Sequence, residues 1–169
     1  MRSLNPYLEK AENSSFALWK LNQILWFSIP FNYPHRFKVI KVEKESLTIE
    51  MPYIRKNLNH IKGLHACGLA TLCEYVCGLQ LIKLAGNDEY RIILKSLNIQ
   101  YHYQAKMKVT AHFALSQDWF QKEIEIPLKS SSSIVRSFPV EVYDDQNKLI
   151  CTGVPEWQIK PWDKVKTRL

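Results

Sequence analysis

Three things are missing from these 169 residues: a cysteine framework, an apolar N-terminal leader and an internal repeat. Each absence removes a class of protein. Of the four cysteines, Cys67, Cys73 and Cys77 fall in one apolar stretch and Cys151 stands alone. Cys73 and Cys77 are one helical turn apart, a poor geometry for a disulfide. They read as small core residues of a reducing compartment. A metal site built from His60, His65, Cys67 and Cys73 has no recognisable ligand spacing, ranks below packing, and no metal is expected. No apolar core follows Arg2, and the later apolar run is interrupted by Lys20, Asn22 and Gln23. A signal peptide is therefore not expected, and the cytoplasm is the default location. Lys and Arg outnumber Asp and Glu by 23 to 16, for a formal charge of +7. Apart from the tail Lys160 to Arg168 the basic residues are scattered, which reads as a solvated surface with no nucleic-acid partner. Such a field would also suit a polyanion such as coenzyme A.

What the chain does have is an uncharged stretch at its centre. From Leu64 to Ile82 the only formally charged side chain is Glu74. Apolar residues recur on every side at helical spacing, which predicts a helix over about 64–84, buried all round. The rival reading is a membrane span, since about 19 residues at about 1.5 Å each nearly cross a bilayer. Glu74, Gln80, Thr71 and two glycines within the stretch weigh against it, so no span is expected. With 46% hydrophobic residues, the whole chain, 1–169, suits a single compact domain around that helix.

A carboxylate in a buried helix is costly unless it is hydrogen-bonded or neutralised. Glu74 is open to two readings: a structural partner or water, or a catalytic carboxyl with a perturbed pKa. On its face of the helix lie Thr71, Ala70, Cys67, Cys77 and Gly78, all small. They leave room for a ligand, although a second helix packed closely would need the same pattern. His65 precedes Glu74 by nine residues, about 900° of turn and about 13 Å of rise. One chain cannot bring the two together in a helix, so a shared site calls for a second subunit. The helix start supplies free N–H groups and the positive end of the macrodipole, a receptor for a developing oxyanion.

The order Asn59, Gly63, His65, Ala70-Thr71-Leu72 and Glu74 resembles the hotdog-fold acyl-CoA thioesterases of the phenylacetate-degradation type. In those enzymes an Asn precedes a His-Gly-Gly at the start of the central helix, and an acid falls nine residues after the His. The chain is closer still to a poorly characterised branch of that superfamily, a domain of unknown function. The resemblance covers roughly residues 16 to 161. It implies that Glu74 is the base or nucleophile, that the Ala66 N–H beside His65 faces the thioester oxygen, and that Asn59 holds the thioester or the attacking water. Gly63, Cys67, Ala70 and Thr71 would then line the substrate site. The pattern departs where His-Gly-Gly becomes His65-Ala66-Cys67, which keeps the N–H groups but narrows the approach.

Elsewhere, Asn13, Ser14 or Ser15 can cap a helix over about 14–27, stopped by Pro30. Its apolar residues are too many for a narrow stripe, so it is expected to pack on the sheet or a partner. Membrane-surface binding ranks lower because its basic face is thin. Phe37 to Glu43 and Leu47 to Tyr53 read as strands around a turn at Lys44-Glu45, with Pro52 ending the second. Ile54 to Asn59 is then a loop and an expected mobile wall of the site. After the turn signal Gly86-Asn87, the segments Leu97 to Tyr103 and Met107 to Leu115 alternate and are expected to form a hairpin. His102 and His112 fall on their polar phases. Ser116 caps a short helical excursion, and a last hairpin runs Ile134 to Tyr143 and Lys148 to Lys160, with a possible bulge at Thr152-Gly153.

The class is α+β: an antiparallel sheet of five to six strands wrapped around one long helix, preceded by an extra N-terminal helix. The resemblance names this the hotdog fold and implies a homodimer or a dimer of dimers. Its leading functional implication is hydrolysis of an acyl-CoA or acyl-carrier thioester, with coenzyme A present only as part of the substrate and no cofactor. The alternative is a non-catalytic hotdog module that binds an acyl ligand or a partner protein. A hydratase ranks lowest, because Asn57-Leu58-Asn59-His60 offers no acid ahead of a His.

Overall fold

The computed structural model describes residues 4–86 and 89–165; Arg2, Asn87 of the expected turn and the end of the basic tail lie outside them. Two helices open the described chain, α1 (Asn5–Ala11) and α2 (Ser15–Ser28), and α3 (Ala66–Ala85) is the long central one. The strands are β1 (Lys38–Glu43), β2 (Ser46–Met51), β3 (Tyr90–Tyr101), β4 (Val109–Ala114), β5 (Ile134–Ser137), β6 (Val140–Asp144) and β7 (Leu149–Pro161). All pair antiparallel, in the order β1-β2-β4-β6-β7-β3, with β5 also on β7. The sheet wraps α3, which packs on β2, β3, β4, β6 and β7. This is the expected hotdog architecture, with six strands if the chain is followed through the break between β5 and β6 and seven if it is not.

The alternations that predicted β2 and β4 are the ones that bury them. Leu47, Ile49 and Met51 point inward from β2 and Val109, Ala111 and Phe113 from β4, while Thr48 and His112 stay outside, 3.1 Å apart. Side chains alternate across a strand, so one apolar phase suffices to choose the inner face. Ser14 caps α2 by accepting from the Ala17 N–H at 3.2 Å. Asn22 then anchors α2 on the outer edge of β1, its amide donating to the Val39 carbonyl at 2.9 Å and accepting from the Val39 N–H at 2.8 Å. One side chain thus satisfies strand groups that a neighbouring strand would otherwise take.

Several expectations are corrected. The segments expected to form a hairpin do not pair with each other: β3 pairs with β7 along its length, and β4 lies between β2 and β6. Strand alternation reports a buried face but not a partner, which is decided by closure around α3. The strand expected over 134–143 is broken at Phe138-Pro139, since Pro139 has no N–H to give the ladder. Helix α1 was unforeseen; it begins at Asn5, with Pro6 in its first turn and no side-chain cap. It docks at the end of α3, where Asn5 donates to the Lys83 carbonyl at 3.0 Å and Lys83, nearly buried, meets Glu12 at 2.7 Å and the Glu43 and Lys44 carbonyls.

Gly153 sits in regular register opposite Ile99 and Val140, so it marks no bulge. Its role is close approach. A Cβ there would lie 2.7 Å from the Cβ and Sγ of Cys73 and 2.8 Å from Ile99 Cδ1. Gly153→Ala is therefore expected to cost about 2 kcal/mol by overpacking, read as a lowered thermal midpoint; an unchanged midpoint would mean that α3 does not lie this close to β7.

Candidate functional site

Helix α3 starts one residue after His65. The His65 Nδ1 accepts the Cys67 N–H at 3.1 Å, so the imidazole caps the helix and carries its proton, when neutral, on Nε2. Cys67 thus has its N–H occupied. The Ala66 N–H has no hydrogen-bond partner among the described residues, while the Ala66 carbonyl accepts from the Tyr101 hydroxyl at 2.9 Å. One helix-start N–H therefore remains free for a ligand.

The loop leading into this start is held in place rather than free. Asn57, 1% exposed, donates through Nδ2 to the His35 and Pro52 carbonyls at 2.9 and 2.8 Å. Its Oδ1 lies 3.0 Å from His35 Nδ1, and its carbonyl accepts from the His65 N–H at 2.8 Å. Asn59 Oδ1 accepts from the N–H groups of Ile61 and Gly63, both at 3.0 Å, which closes a tight turn. Gly63 lies in that turn directly beneath Gln104, whose side chain would meet a Cβ at 2.5 Å. The wall expected to be mobile is thus built on a buried amide. Only its position between strand and helix was legible beforehand; no periodicity marks Asn57 as its anchor.

Two clefts flank the helix start. One, of about 260 Å³, includes His65, Cys67, Gly68 and Thr71 with Phe31 and Phe37 opposite. The other, of about 270 Å³, includes Asn59, Ala66 and Leu69 with Tyr101 and Tyr103. The expected site residues are thereby divided. Asn59 and the free Ala66 N–H share one cleft, His65, Cys67 and Thr71 the other, and Glu74 lines neither.

Glu74 stands two turns down the helix on its least covered flank, with Cys67, Ala70 and Thr71. These four fall within about 100° of arc. Thr71 turns its hydroxyl back to donate to the Cys67 carbonyl at 2.9 Å. Among the described residues the Glu74 carboxyl has no hydrogen bond and no ion pair. Burial pushes its pKa above the usual carboxylate value of 4.5. The room expected beside Gly78 is already filled: the Trp157 ring of the same chain lies 2.9 Å from where a Cβ would be. The partly exposed neighbours of Glu74 on its own face are Ala70 and Thr71.

The other thiols are packing groups. Cys73, Cys77 and Cys151 are buried. The adjoining Cys151 thiol and burial push Cys73 far up, and burial pushes Cys77 up. Cys67 is the exposed one. His102 and His112 are exposed as expected. Helix α3 is long and apolar enough to cross a membrane, yet 61% of its most apolar window is buried inside the fold, as in the core helix of a globular protein.

The fold has structural parallels among solved proteins. A Pseudomonas aeruginosa protein of unknown function, called a probable thioesterase, superposes with a TM-score of 0.75 over 85% of this chain and 95% of its own, at 19% identity. A Chlorobaculum tepidum protein of unknown function gives 0.73 over 90% and 99%, at 12% identity. A Haemophilus influenzae thioesterase gives 0.65 over 89% and 95%, at 15% identity. At such identities the likeness is one of fold. No protein with a curated description matches. A family pattern described as a domain of unknown function, DUF4442, matches residues 18–159, from within α2 through the core helix into the last residues of β7, and the chain belongs to that family.

Proposed function

We propose that this protein hydrolyses an acyl-CoA or related acyl thioester. The observation that carries the reading is Glu74: a half-buried carboxyl on the core helix, raised in pKa by burial, with no partner of its own among the described residues. Folding gains nothing from such a group, whereas a general base or nucleophile needs it. In the reaction Glu74 takes a proton from water as its oxygen bonds to the thioester carbon. The C–S bond then breaks and the proton passes to the departing thiolate. Direct attack by the carboxylate, followed by hydrolysis of the anhydride, is the variant of the same role. The Ala66 N–H receives the oxyanion.

Ala66 and Glu74 are separated by about 12 Å of helix rise, so the oxyanion donor and the base come from two copies of the chain. Support for a homodimer lies in β3, twelve residues long and, among the described residues, paired only on its β7 side. A long edge strand left open invites a second strand. For hydrolysis itself, the thioesterase names of the structural neighbours add support. One observation favours the alternative of a non-catalytic acyl-binding module: the Cys67 N–H is taken by His65, which leaves one donor for the oxyanion.

A free-thiol assay over aromatic and straight-chain acyl-CoAs decides between them. Thiol release above the uncatalysed rate is the expected result. Saturable acyl-CoA binding with no thiol released across the panel would replace hydrolysis by binding.

A further inference from the structure

We infer that the outer face of α2 and the loop after it form a docking surface for an anionic lipid bilayer. Leu21, Asn22 and Leu25 turn α2 toward the β1 edge, and the opposite face is aromatic where a surface helix is normally polar. Phe16, Trp19, Phe27, Phe31 and Tyr33 stand in solvent, Phe27 at 90% exposure. Single exposed apolar residues are ordinary, but a run of large rings along one helix and its following loop is not. Phe16 and Trp19 stack at 5.8 Å, and a hollow of about 470 Å³ lies between Gln23, Trp26, Phe27, Pro30 and Tyr33.

Charge selects the occupant. From Asn13 to Val42 the chain has no Asp or Glu, while it has Lys20, Arg36, Lys38 and Lys41. Lys41 is paired with Glu43 at 2.6 Å; the other three make no salt bridge among the described residues. Arg36 is held over the Trp26 and Tyr33 rings at 5.5 and 5.3 Å, at the border of the aromatic surface. Rings that sink to the headgroup level beside cations that meet anionic headgroups are the components of interfacial attachment. A second copy of the same face would instead bring like charges together. The basic face that looks thin along α2 alone is extended by Arg36, which lies over the Trp26 and Tyr33 rings, and by the exposed Lys38 two residues further on. Phe31 belongs both to this surface and to the cleft beside Cys67 and Thr71, so a docked protein would open that cleft toward the lipid.

The test is co-sedimentation of the full chain with vesicles of phosphatidylcholine containing phosphatidylglycerol, against phosphatidylcholine alone, with tryptophan emission as a second readout. Binding to the anionic vesicles with a blue shift is expected, weakened by salt and reduced roughly tenfold or more by Phe27→Glu or Lys38→Glu. Both positions are exposed, and an unchanged thermal midpoint of each variant checks that the fold is intact. Wild type remaining in the supernatant, or variants sedimenting as well as wild type, would overturn the inference. So would self-association in sedimentation velocity that Phe27→Glu abolishes without any vesicle binding, since the face would then be a protein contact. No substrate is used, so this outcome stands apart from that of the thiol assay.

Discussion

Glu74→Gln is expected to lower thiol release from the preferred acyl-CoA by about 10²- to 10⁴-fold, the ordinary worth of a positioned base. The amide keeps the volume and cannot accept the proton. An unchanged sedimentation coefficient and a native circular dichroism spectrum would separate this loss from misfolding, and unchanged turnover in the purified variant would remove Glu74 from the chemistry. Because burial raises the Glu74 pKa, the acid limb of kcat/KM should fall above 4.5. Stability has its own sign. A carboxyl whose folded pKa exceeds its unfolded one binds more protons when folded, so stability declines as pH rises from the unfolded pKa through the folded one. Glu74→Gln should therefore be more stable than wild type at neutral pH, and the difference should close as pH falls below the ordinary carboxylate range. A variant that gains stability while losing activity would mark Glu74 as a group kept for function at a cost to the fold.

Asn57→Ala is expected to be the most damaging substitution outside the core. It leaves the His35 and Pro52 carbonyls without their donor and His35 Nδ1 without Oδ1, all at a buried position. Orphaned polar groups of this sort cost about 1–3 kcal/mol each, so a total loss of about 3 kcal/mol and a thermal midpoint lower by about 10 °C are expected. Thiol release should fall with it, because the Asn57 carbonyl fixes the His65 N–H and through it the first turn of α3. Asn57→Asp, which keeps an oxygen toward His35 but removes both amide donations, should be almost as unstable. If Asn57→Ala melted like wild type, the loop before α3 would have to be held by something else.

The parts of this protein that were legible beforehand are those set by one-dimensional patterns. The apolar run around Glu74 marked α3, the capping residues Asn13-Ser14-Ser15 marked the start of α2, and the alternations of β2 and β4 named their buried faces. The partner of β3 was not legible, because alternation is the same whichever strand lies alongside. Nor was α1, whose hold on the fold comes from Lys83, more than seventy residues away. Gly153 looked like a bulge because a glycine in a strand signals either a bulge or a close neighbour, and only the approach of Cys73 distinguishes them.

What the sequence alone determined is that a single acid is placed in the apolar centre of the chain, and that a helix keeps it about 13 Å from His65. The tertiary structure decided the rest. It divided the expected site residues between two clefts, closed one N–H with His65 and left another free, filled the space at Gly78 with Trp157, and turned the rings of α2 outward. Helical rise and rotation follow from local backbone geometry, whereas which side chain caps, fills or stands clear depends on contacts between segments far apart in the chain.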